Sequence, residues 1–392
     1  MVRIGVQERL NRLAVRHRLA CEHRAADVAE VTGDLVALHS TDPASVYLSA
    51  AARLREPELA AIDRALYDDR TVVRILGMRR TMFVVPRELV PVVHAACTRA
   101  LVPNQRRILV PLIEKAGIAA DGDRWLAEVE EKTVRALAAR GEAVGTELAA
   151  DVPELRMQIS MNEGKAYGGS SNLTTRVLFL LSASERIVRG RPRGSWISSQ
   201  YRWAPIEAWL PDGLPDLPED AARTELVRRW LGAFGPGTVA DVRWWTGWTA
   251  GEVRRALAGV PTVEVELDGG RTGLVLEGDT EPAPAPTPWA ALLPALDPSV
   301  MAWPERGWFL GGHGPALFDR SGNAGPTVWW DGRVVGGWAQ RRTGEVVYRL
   351  LEDVGADASA AIRAAAERLQ AWIGPVRVTP RFRTPLEQEL SA

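Results

Sequence analysis

Hydrophobic positions in the first quarter of the chain recur at helical spacing and then change to strand-like runs. Apolar side chains repeat every three or four residues over four segments, which predicts helices at 6–20, 26–38, 43–54 and 57–67. Pro43 stands in the first turn of the third of these, where proline suits a helix start. Residues 71–76 and 80–85 are apolar runs separated by a break at Gly77, which predicts a β-hairpin. Helices followed by a hairpin indicate a winged-helix unit.

The same order of elements recurs twice. The second copy has helical patterns at 124–140, 141–148 and 172–188, with residues 196–203 expected in its wing. The third copy has helical patterns at 219–233, 239–245 and 250–257, followed by strands at 262–267 and 273–276. Thr238 and Thr249 precede its two short helices as capping residues, and this pair is predicted to form a helix-turn-helix. Three copies of this pattern support a winged-helix assignment that one copy alone would not support.

A Pro/Ala-rich segment at 279–288 indicates a boundary, and beyond it the chain has mostly strand patterns. Short strands are predicted at 315–318, 327–330, 333–338 and 346–351, and then a helix at 357–373 and an arginine-bearing tail. The sequence therefore predicts an α+β protein with three tandem winged-helix units and a small antiparallel β module, either barrel-like or sheet-like. The expected domains are 1–88, 89–205, 206–278 and 279–392.

Composition sets the broad class. The chain has 392 residues, 46% of them hydrophobic, which is ordinary for a soluble protein of two or more domains. Cys21 and Cys97 are too few for a disulfide framework or an unaided zinc site, which fits a reducing cytosol. The charged start and the absence of a long apolar run lead us to expect a cytoplasmic protein that neither enters a membrane nor is secreted.

Charge does not exclude a nucleic-acid partner, although the formal net charge is only -1. Lysine occurs at Lys115, Lys132 and Lys165 alone, so 45 of the 48 basic residues are arginine. The planar guanidinium of arginine donates paired hydrogen bonds to a phosphate, which the lysine ammonium does not. Residues 176–202 hold six arginines against one acid, Glu185, and are interleaved with aromatic residues. This composition suits a wing that follows a phosphate backbone. A solvated loop in an arginine-biased sequence explains it equally well.

The segment His39-Ser40-Thr41-Asp42 carries the candidate chemistry. His39 and Thr41 are two residues apart, so in an extended loop they face the same side. Together they could hold a water, with His39 as base or orienter. The alternative is a capping loop, because Ser, Thr and Asp are common at any helix start. The sequence contains no zinc-deaminase cysteine pair, HExxH, P-loop or GxSxG motif, and we expect neither a metal nor a cofactor.

Several segments resemble the winged-helix DNA-binding family of bacterial DNA glycosylases that release alkylated bases and unhook interstrand crosslinks. They are Leu35–Pro43 with Tyr47 and Arg53, Arg79–Pro86, Val242–Gly247, Leu292–Pro298 and Trp329–Trp338. The resemblance spans nearly the whole chain in order. It implies three tandem winged helices and a β-barrel that form a concave basic surface around duplex DNA.

The resemblance also implies a catalytic site. The family has Gln-x-Gln or Gln-x-Asp just before Asp-Pro, and alignment on Asp42-Pro43 places His39 at the first of these positions and Thr41 at the second. Either the chemistry is retained with His39 as the polarising group, or the protein binds DNA without catalysis, as a regulator or lesion binder. The residues expected to act on the substrate are His39, Thr41 and Asp42. Those expected to hold DNA are Arg79, Arg80, Arg189, Arg191, Arg193, Arg381 and Arg383.

The function implied is a DNA glycosylase that hydrolyses the N-glycosidic bond of alkylated or crosslinked purines in duplex DNA, in the setting of repair or of self-resistance to a genotoxic natural product. A lyase that forms a Schiff base needs a lysine near the sugar. None of the three lysines lies in the motif or in the first hairpin. We therefore expect a monofunctional enzyme. With no heptad seam for dimerisation, we also expect a monomer.

Overall fold

Groups of helices alternate with short antiparallel hairpins along the chain. The structure is a computed structural model, and it describes residues 1–161 and 169–392. The first helices are Val6–Arg16, Val28–Asp34, Pro43–Ala51 and Leu59–Tyr67. They are followed by strands Val72–Leu76 and Met82–Pro86, called here the first hairpin. A two-residue strand, Leu38–His39, pairs with Met82–Pro86 and completes a three-stranded sheet. The predicted helices and the hairpin are confirmed, except that the helix predicted at 26–38 ends at Asp34 and Leu38 belongs to a strand.

The second group follows a helical connection that was not predicted, with segments Val90–Val93, His94–Thr98 and Leu101–Lys115. Its helices are Gly122–Arg140, Gly145–Asp151 and Leu173–Ala183. Strands Gln158–Met161 and Gly169–Asn172 form one hairpin, and Ile187–Pro192 and Tyr201–Pro205 form the second hairpin. The predicted helix at 172–188 is too long, because its last residues belong to the strand that starts at Ile187.

The third group contains helices Glu219–Phe234, Val239–Thr246 and Ala250–Ala258, and then the third hairpin, Thr262–Leu267 with Arg271–Leu276. Val2–Ile4 adds a parallel strand to this hairpin. The capping prediction is confirmed, because the Thr238 side chain accepts a hydrogen bond from the Asp241 amide at 3.1 Å and Thr249 caps the next helix in the same way. Gly247 joins the two short helices at φ 77°, a left-handed conformation that favours glycine.

The C-terminal module contains a four-stranded antiparallel sheet in the order Ala290–Leu293, Thr327–Trp330, Arg333–Gln340, Val346–Leu350. Its helices are Pro298–Met301, Gly307–Leu310, Gly314–Leu317, Gly355–Ile373 and Pro385–Ser391. The strand predicted at 315–318 is wrong, because Pro315 occupies the first turn of a short helix. The Pro/Ala segment packs along the first helix, where the Arg12 guanidinium donates to the Asp279 carboxylate at 3.1 Å.

The two larger hydrophobic cores of the described residues support this arrangement. One large core runs through the first and third groups and the C-terminal module. A separate core lies inside the second group, between Leu109 and Trp203. Short single-turn helices also occur at Cys21–His23, Met78–Arg80, Arg87–Leu89, Pro153–Arg156 and Ile206–Ala208. The second hairpin joins the large core through Val188 and Ala204, and its strand Ile187–Pro192 contacts strand Val72–Leu76 of the first hairpin.

Candidate functional site

The His39–Asp42 segment, called here the motif loop, leads from a strand directly into a helix. His39 pairs with Phe83 in the first sheet, and the Ser40 amide donates to the Met82 carbonyl at 2.8 Å. Asp42 is the N-cap of helix Pro43–Ala51, since its carboxylate accepts a hydrogen bond from the Ala44 amide at 3.1 Å. The backbone is thus fixed on both sides, and Asp42 has the capping role that the alternative interpretation of this segment predicted.

The His39 imidazole is buried and neutral. Only 7% of the residue is exposed, and its ring meets the edge of Phe83 at a centroid distance of 5.0 Å. Burial, helped by the positive charge of Arg79, lowers the pKa of His39 to about 3. The Thr41 amide donates to Nδ1 at 3.4 Å, so the proton of the neutral ring sits on Nε2. His39 therefore offers a hydrogen-bond donor and is a poor proton acceptor.

The depressed pKa gives a testable dependence of stability on pH. Between pH 6.5 and about 3 the unfolded chain takes up a proton at His39 that the folded protein does not, so stability is lost as the pH falls. From pH 7 to pH 5 the free energy of unfolding of the wild type should fall by about 2 kcal/mol more than that of His39→Gln. Urea unfolding at both pH values measures this, with His23→Gln, at a half-buried position, as the control. Parallel losses in wild type and His39→Gln would show that His39 titrates normally.

Thr41 and Asp42 face the C-terminal tail of the chain. The Thr41 hydroxyl oxygen is buried without a hydrogen-bond partner among the described residues. Asp42 Oδ2 accepts the Arg381 amide at 2.9 Å, and the Arg381 guanidinium lies 3.4 Å from the Thr41 carbonyl oxygen. Burial raises the pKa of the Asp42 carboxyl, against the opposing effect of these hydrogen bonds. The tail therefore closes over the motif loop and leaves one hydroxyl free to bind a water or a substrate atom.

Arg74, on the first strand of the first hairpin, is a further member of the site and was not among the residues expected there. Its Nε donates to the Ser40 hydroxyl at 2.6 Å and its Nη1 to the Tyr67 hydroxyl at 3.1 Å. The guanidinium also lies 4.4 Å from the centre of the Tyr201 ring. Arg74 is only 2% exposed, so it links the motif loop to the second hairpin from inside the protein.

Arg79 and Arg80 form the turn of the first hairpin, both with positive φ. Arg80 is exposed, as expected of a residue that meets DNA. Arg79 is half-buried instead, with its guanidinium 4.3 Å from the Trp244 ring centre, and Arg306 lies over the same ring at 5.0 Å. Burial lowers the pKa of both arginines, in the case of Arg306 to about 10. Arg306 belongs to the C-terminal module and was missed, because only the fold brings it to this ring.

The positive stretch 176–202 is partly neutralised by acids from other elements. Arg191, expected to hold DNA, donates to Asp63 and Asp68, each at 3.0 Å. Arg186 pairs with Glu131, and Arg202 lies 3.9 Å from Glu142. The local excess of charge is reduced in the fold, because carboxylates from outside this stretch lie beside three of its six arginines.

The other arginines expected to hold DNA divide into two kinds. Arg193 and Arg381 are exposed. Arg189 lies over the rings of Tyr201 and Trp203, at 5.6 and 5.1 Å, and burial lowers its pKa to about 10. Arg383 pairs with Glu387 and also donates to the Ser391 hydroxyl, so it stabilises the tail.

A fully buried ion pair holds the helix that follows the motif loop. Arg53 donates to both carboxylate oxygens of Asp297, at 2.7 and 2.8 Å, and both side chains are 0% exposed. Burial raises the pKa of Asp297, but the charge and hydrogen bonds of Arg53 outweigh it, so the pKa lies below its usual range. On the same helix, the Ser45 hydroxyl donates to the Ala295 carbonyl at 2.7 Å. The loop is thereby anchored to the C-terminal module.

Three features of the described residues bear on the expectations about metal binding, lysines and membrane insertion. Over residues 1–161 and 169–392, no group of three or more His, Cys, Asp or Glu side chains is placed to hold a metal ion. Lys132 pairs with Glu154, and Lys165 lies outside the described residues. No helix in the same two ranges is both long and apolar enough to cross a bilayer.

Comparison with known proteins agrees with the family named by the sequence segments. A sequence model of the family described as DNA glycosylase AlkZ-like matches residues 32–372. Among solved structures, Streptomyces sahachiroi DNA glycosylase AlkZ is similar, with a TM-score of 0.72 and 20% identity, over 97% of this chain and 99% of that one. At that identity the likeness shows a shared fold. No curated protein sequence matches the chain. The α+β class and the expected family are confirmed.

Proposed function

The chain belongs to the AlkZ-like DNA glycosylase family, and we propose from this that it hydrolyses the N-glycosidic bond of alkylated purines in duplex DNA. The observation that supports the proposal most strongly is that the family match includes the motif loop, where a neutral imidazole and a free buried hydroxyl stand together. We extend the proposal to crosslinked purines and to adducts left by a genotoxic natural product.

The neutral state of His39 suits this chemistry. A purine alkylated at N7 or N3 is cationic, so it leaves readily and needs little acid catalysis. A protonated imidazole beside it would repel the substrate, whereas the neutral ring adds no charge. His39 Nε2–H and the Thr41 hydroxyl would then orient the attacking water below the anomeric carbon. Departure of the neutral base and addition of water give an abasic sugar and release one proton to solvent.

Asp42 would supply the negative charge. The departing base leaves an oxocarbenium-like sugar, and a carboxylate held nearby stabilises that positive charge in a site with little water. Asp42 is 5% exposed, and its two oxygens are fixed by the Ala44 and Arg381 amides. A fixed carboxylate needs no reorganisation when the charge develops, so we assign it to electrostatic stabilisation.

The exposed arginines around the motif loop would hold the duplex. Arg80 lies at the turn of the first hairpin, Arg193 follows the first strand of the second hairpin, and Arg381 covers the loop. We propose that the three helix–hairpin groups act as winged helices whose concave face receives DNA, with these arginines on phosphates. Arg191 and Arg383 are left out of the set, because carboxylates already hold them.

The reaction products test this function. A duplex with a single N7-methylguanine, incubated with the purified chain, should lose the base and keep its strand intact until alkali cleaves the abasic site. A strand break without alkali, with the sugar trapped on the protein by borohydride, would contradict the monofunctional route. Tight, salt-sensitive binding with no abasic product would identify a DNA-binding protein without catalysis.

A further inference from the structure

A cavity of about 190 Å³ lies at the far end of helix Pro43–Ala51, the helix that begins at the motif loop. Much of its lining comes from that end of the helix, from strand Ala290–Leu293 and from helix Gly355–Ile373 of the C-terminal module. The nine residues of helix Pro43–Ala51 span roughly 13 Å at about 1.5 Å per residue. The cavity is therefore distinct from the site proposed for catalysis.

Most of the residues that line the cavity are apolar. Leu48 and Leu292 contribute from the helix and the strand, and Leu369 and Trp372 from the C-terminal helix. Leu369 and Trp372 are three residues apart, so they lie on one face of that helix. The Trp372 indole donates to the Pro57 carbonyl at 2.5 Å, which fixes this side of the cavity. A molecule bound here would need an apolar body.

Three arginines line the same cavity, and they come from three separate segments. Arg24 and Arg55 lie on neighbouring stretches of chain, because the Arg55 amide donates to the Ala25 carbonyl at 3.0 Å. Arg368 comes from the C-terminal helix, next to Leu369. The fold thus brings three positive charges to an otherwise apolar cavity.

These three arginines have no acidic partner within the described parts of the chain. None of them forms an ion pair there, and no acidic side chain among the described residues lines the cavity. The Nε atom of Arg24 is buried without a hydrogen-bond partner among those residues. A buried donor left unpaired is costly, and like charges around one cavity repel each other. A bound anion would relieve both costs.

We propose that this cavity binds a small organic carboxylate with a compact apolar body. The planar guanidinium matches a carboxylate, and the apolar body would pack between Leu48, Leu369 and Trp372. The volume is below the roughly 300–1,000 Å³ of sites for drug-sized molecules, which excludes a nucleotide or a larger ligand. The site does not depend on the glycosylase function proposed above.

Isothermal titration calorimetry with 4-phenylbutyrate tests the proposal, because this probe has one carboxylate and a compact apolar body. The purified chain should bind it saturably at millimolar or lower concentration. Two related compounds, 4-phenylbutyramide without the charge and acetate without the apolar body, should each bind at least about tenfold more weakly. No saturable binding of 4-phenylbutyrate, or equal binding of all three compounds, would overturn the proposal.

Removal of the charges shows whether binding occurs at this cavity. The double variant Arg24→Gln, Arg368→Gln should bind 4-phenylbutyrate about tenfold more weakly or worse, since two of the three cationic donors are lost. Arg320 and Arg363 are exposed and do not line the cavity, so Arg320→Gln, Arg363→Gln is the control of equal charge and should stay within about twofold of the wild type. Arg368→Gln alone, at an exposed position, should still weaken binding about threefold. Equal affinities of the two double variants would refute the site.

Duplex DNA distinguishes the cavity from a DNA-binding surface. The probe should bind equally with and without saturating duplex, and the two double variants, which have the same net charge, should bind duplex equally. Displacement of the probe by duplex, or weaker duplex binding by the Arg24 and Arg368 variant alone, would place these arginines on phosphates and overturn the proposal. Base release is not part of this experiment, so a negative result leaves the glycosylase function standing.

Discussion

Replacing Asp297 with alanine is expected to lower the free energy of unfolding by about 3–5 kcal/mol, a large share of the roughly 5–15 kcal/mol that keeps a domain folded. The physical reason is the charge left behind. Arg53 is 0% exposed and donates to both oxygens of Asp297. Without the carboxylate, its guanidinium stays buried with no counter-charge, and this costs more than the ion pair itself contributes.

The destabilisation caused by Asp297→Ala should also extend to the motif loop. Asp297 accepts hydrogen bonds from the Ser49 hydroxyl at 2.7 Å and the Ser299 amide at 2.9 Å, besides those from Arg53. Ser49 lies on helix Pro43–Ala51, whose N-cap is Asp42. Activity of the variant should therefore fall even at temperatures where it remains folded.

Chemical denaturation measures the effect, and an exposed ion pair provides the control. Glu128 pairs with Arg124 on the surface of a helix, with the two side chains 55% and 78% exposed, and Glu128→Ala should cost about 0.5 kcal/mol or less. If Asp297→Ala costs no more than Glu128→Ala, the buried pair does not anchor the helix as described.

Local patterns predicted most of the helices and hairpins, because their signals lie within a few residues of each other. Thr238 and Thr249 each precede an acid three positions later, and both form capping boxes. The error at 315–318 has the same local origin, since a short run of mixed residues next to Gly314-Pro315 suits either a strand or a helical turn.

Partners that lie far apart in sequence could not be predicted. Arg191 meets Asp63 and Asp68, more than a hundred residues earlier, and this removes it from the surface charge available to DNA. Arg381 reaches the motif loop from the tail in the same way. A count of charge in a window of sequence therefore does not show which of its arginines are already paired with carboxylates from elsewhere in the chain.

Some residues in the segments that resemble the family stabilise the fold and have no proposed role in the chemistry. Arg53 and Asp297 come from two of them and meet only in the buried ion pair. Tyr47, from the same segment as Arg53, is 0% exposed and donates to Asp63 at 2.6 Å. Such residues identify a fold, whereas the residues proposed for chemistry stand in the short motif loop.

Replacing His39 with alanine is expected to lower the single-turnover rate of base release by about 100-fold or more. The imidazole would no longer orient the water, and a truncated side chain beside Phe83 offers no donor in its place. Affinity for the duplex should change little, because the neutral ring contributes no charge to phosphate binding.

Two further variants separate the roles of His39. His39→Gln keeps an N–H donor at this position and should retain activity within about tenfold of the wild type if His39 orients water rather than accepting a proton. His23→Ala, at a half-buried position near the N-terminus, controls for the loss of any histidine and should leave the rate unchanged.

The most direct test of the account is the single-turnover release of N7-methylguanine from a duplex by wild type, His39→Ala and His39→Gln, with duplex affinity measured for each. The motif loop as catalytic centre predicts rapid release by the wild type, slow release by His39→Ala and substantial recovery in His39→Gln, at nearly equal affinities. Equal rates for wild type and His39→Ala would contradict it, since the base would then be released without the residue at the centre of the proposed site.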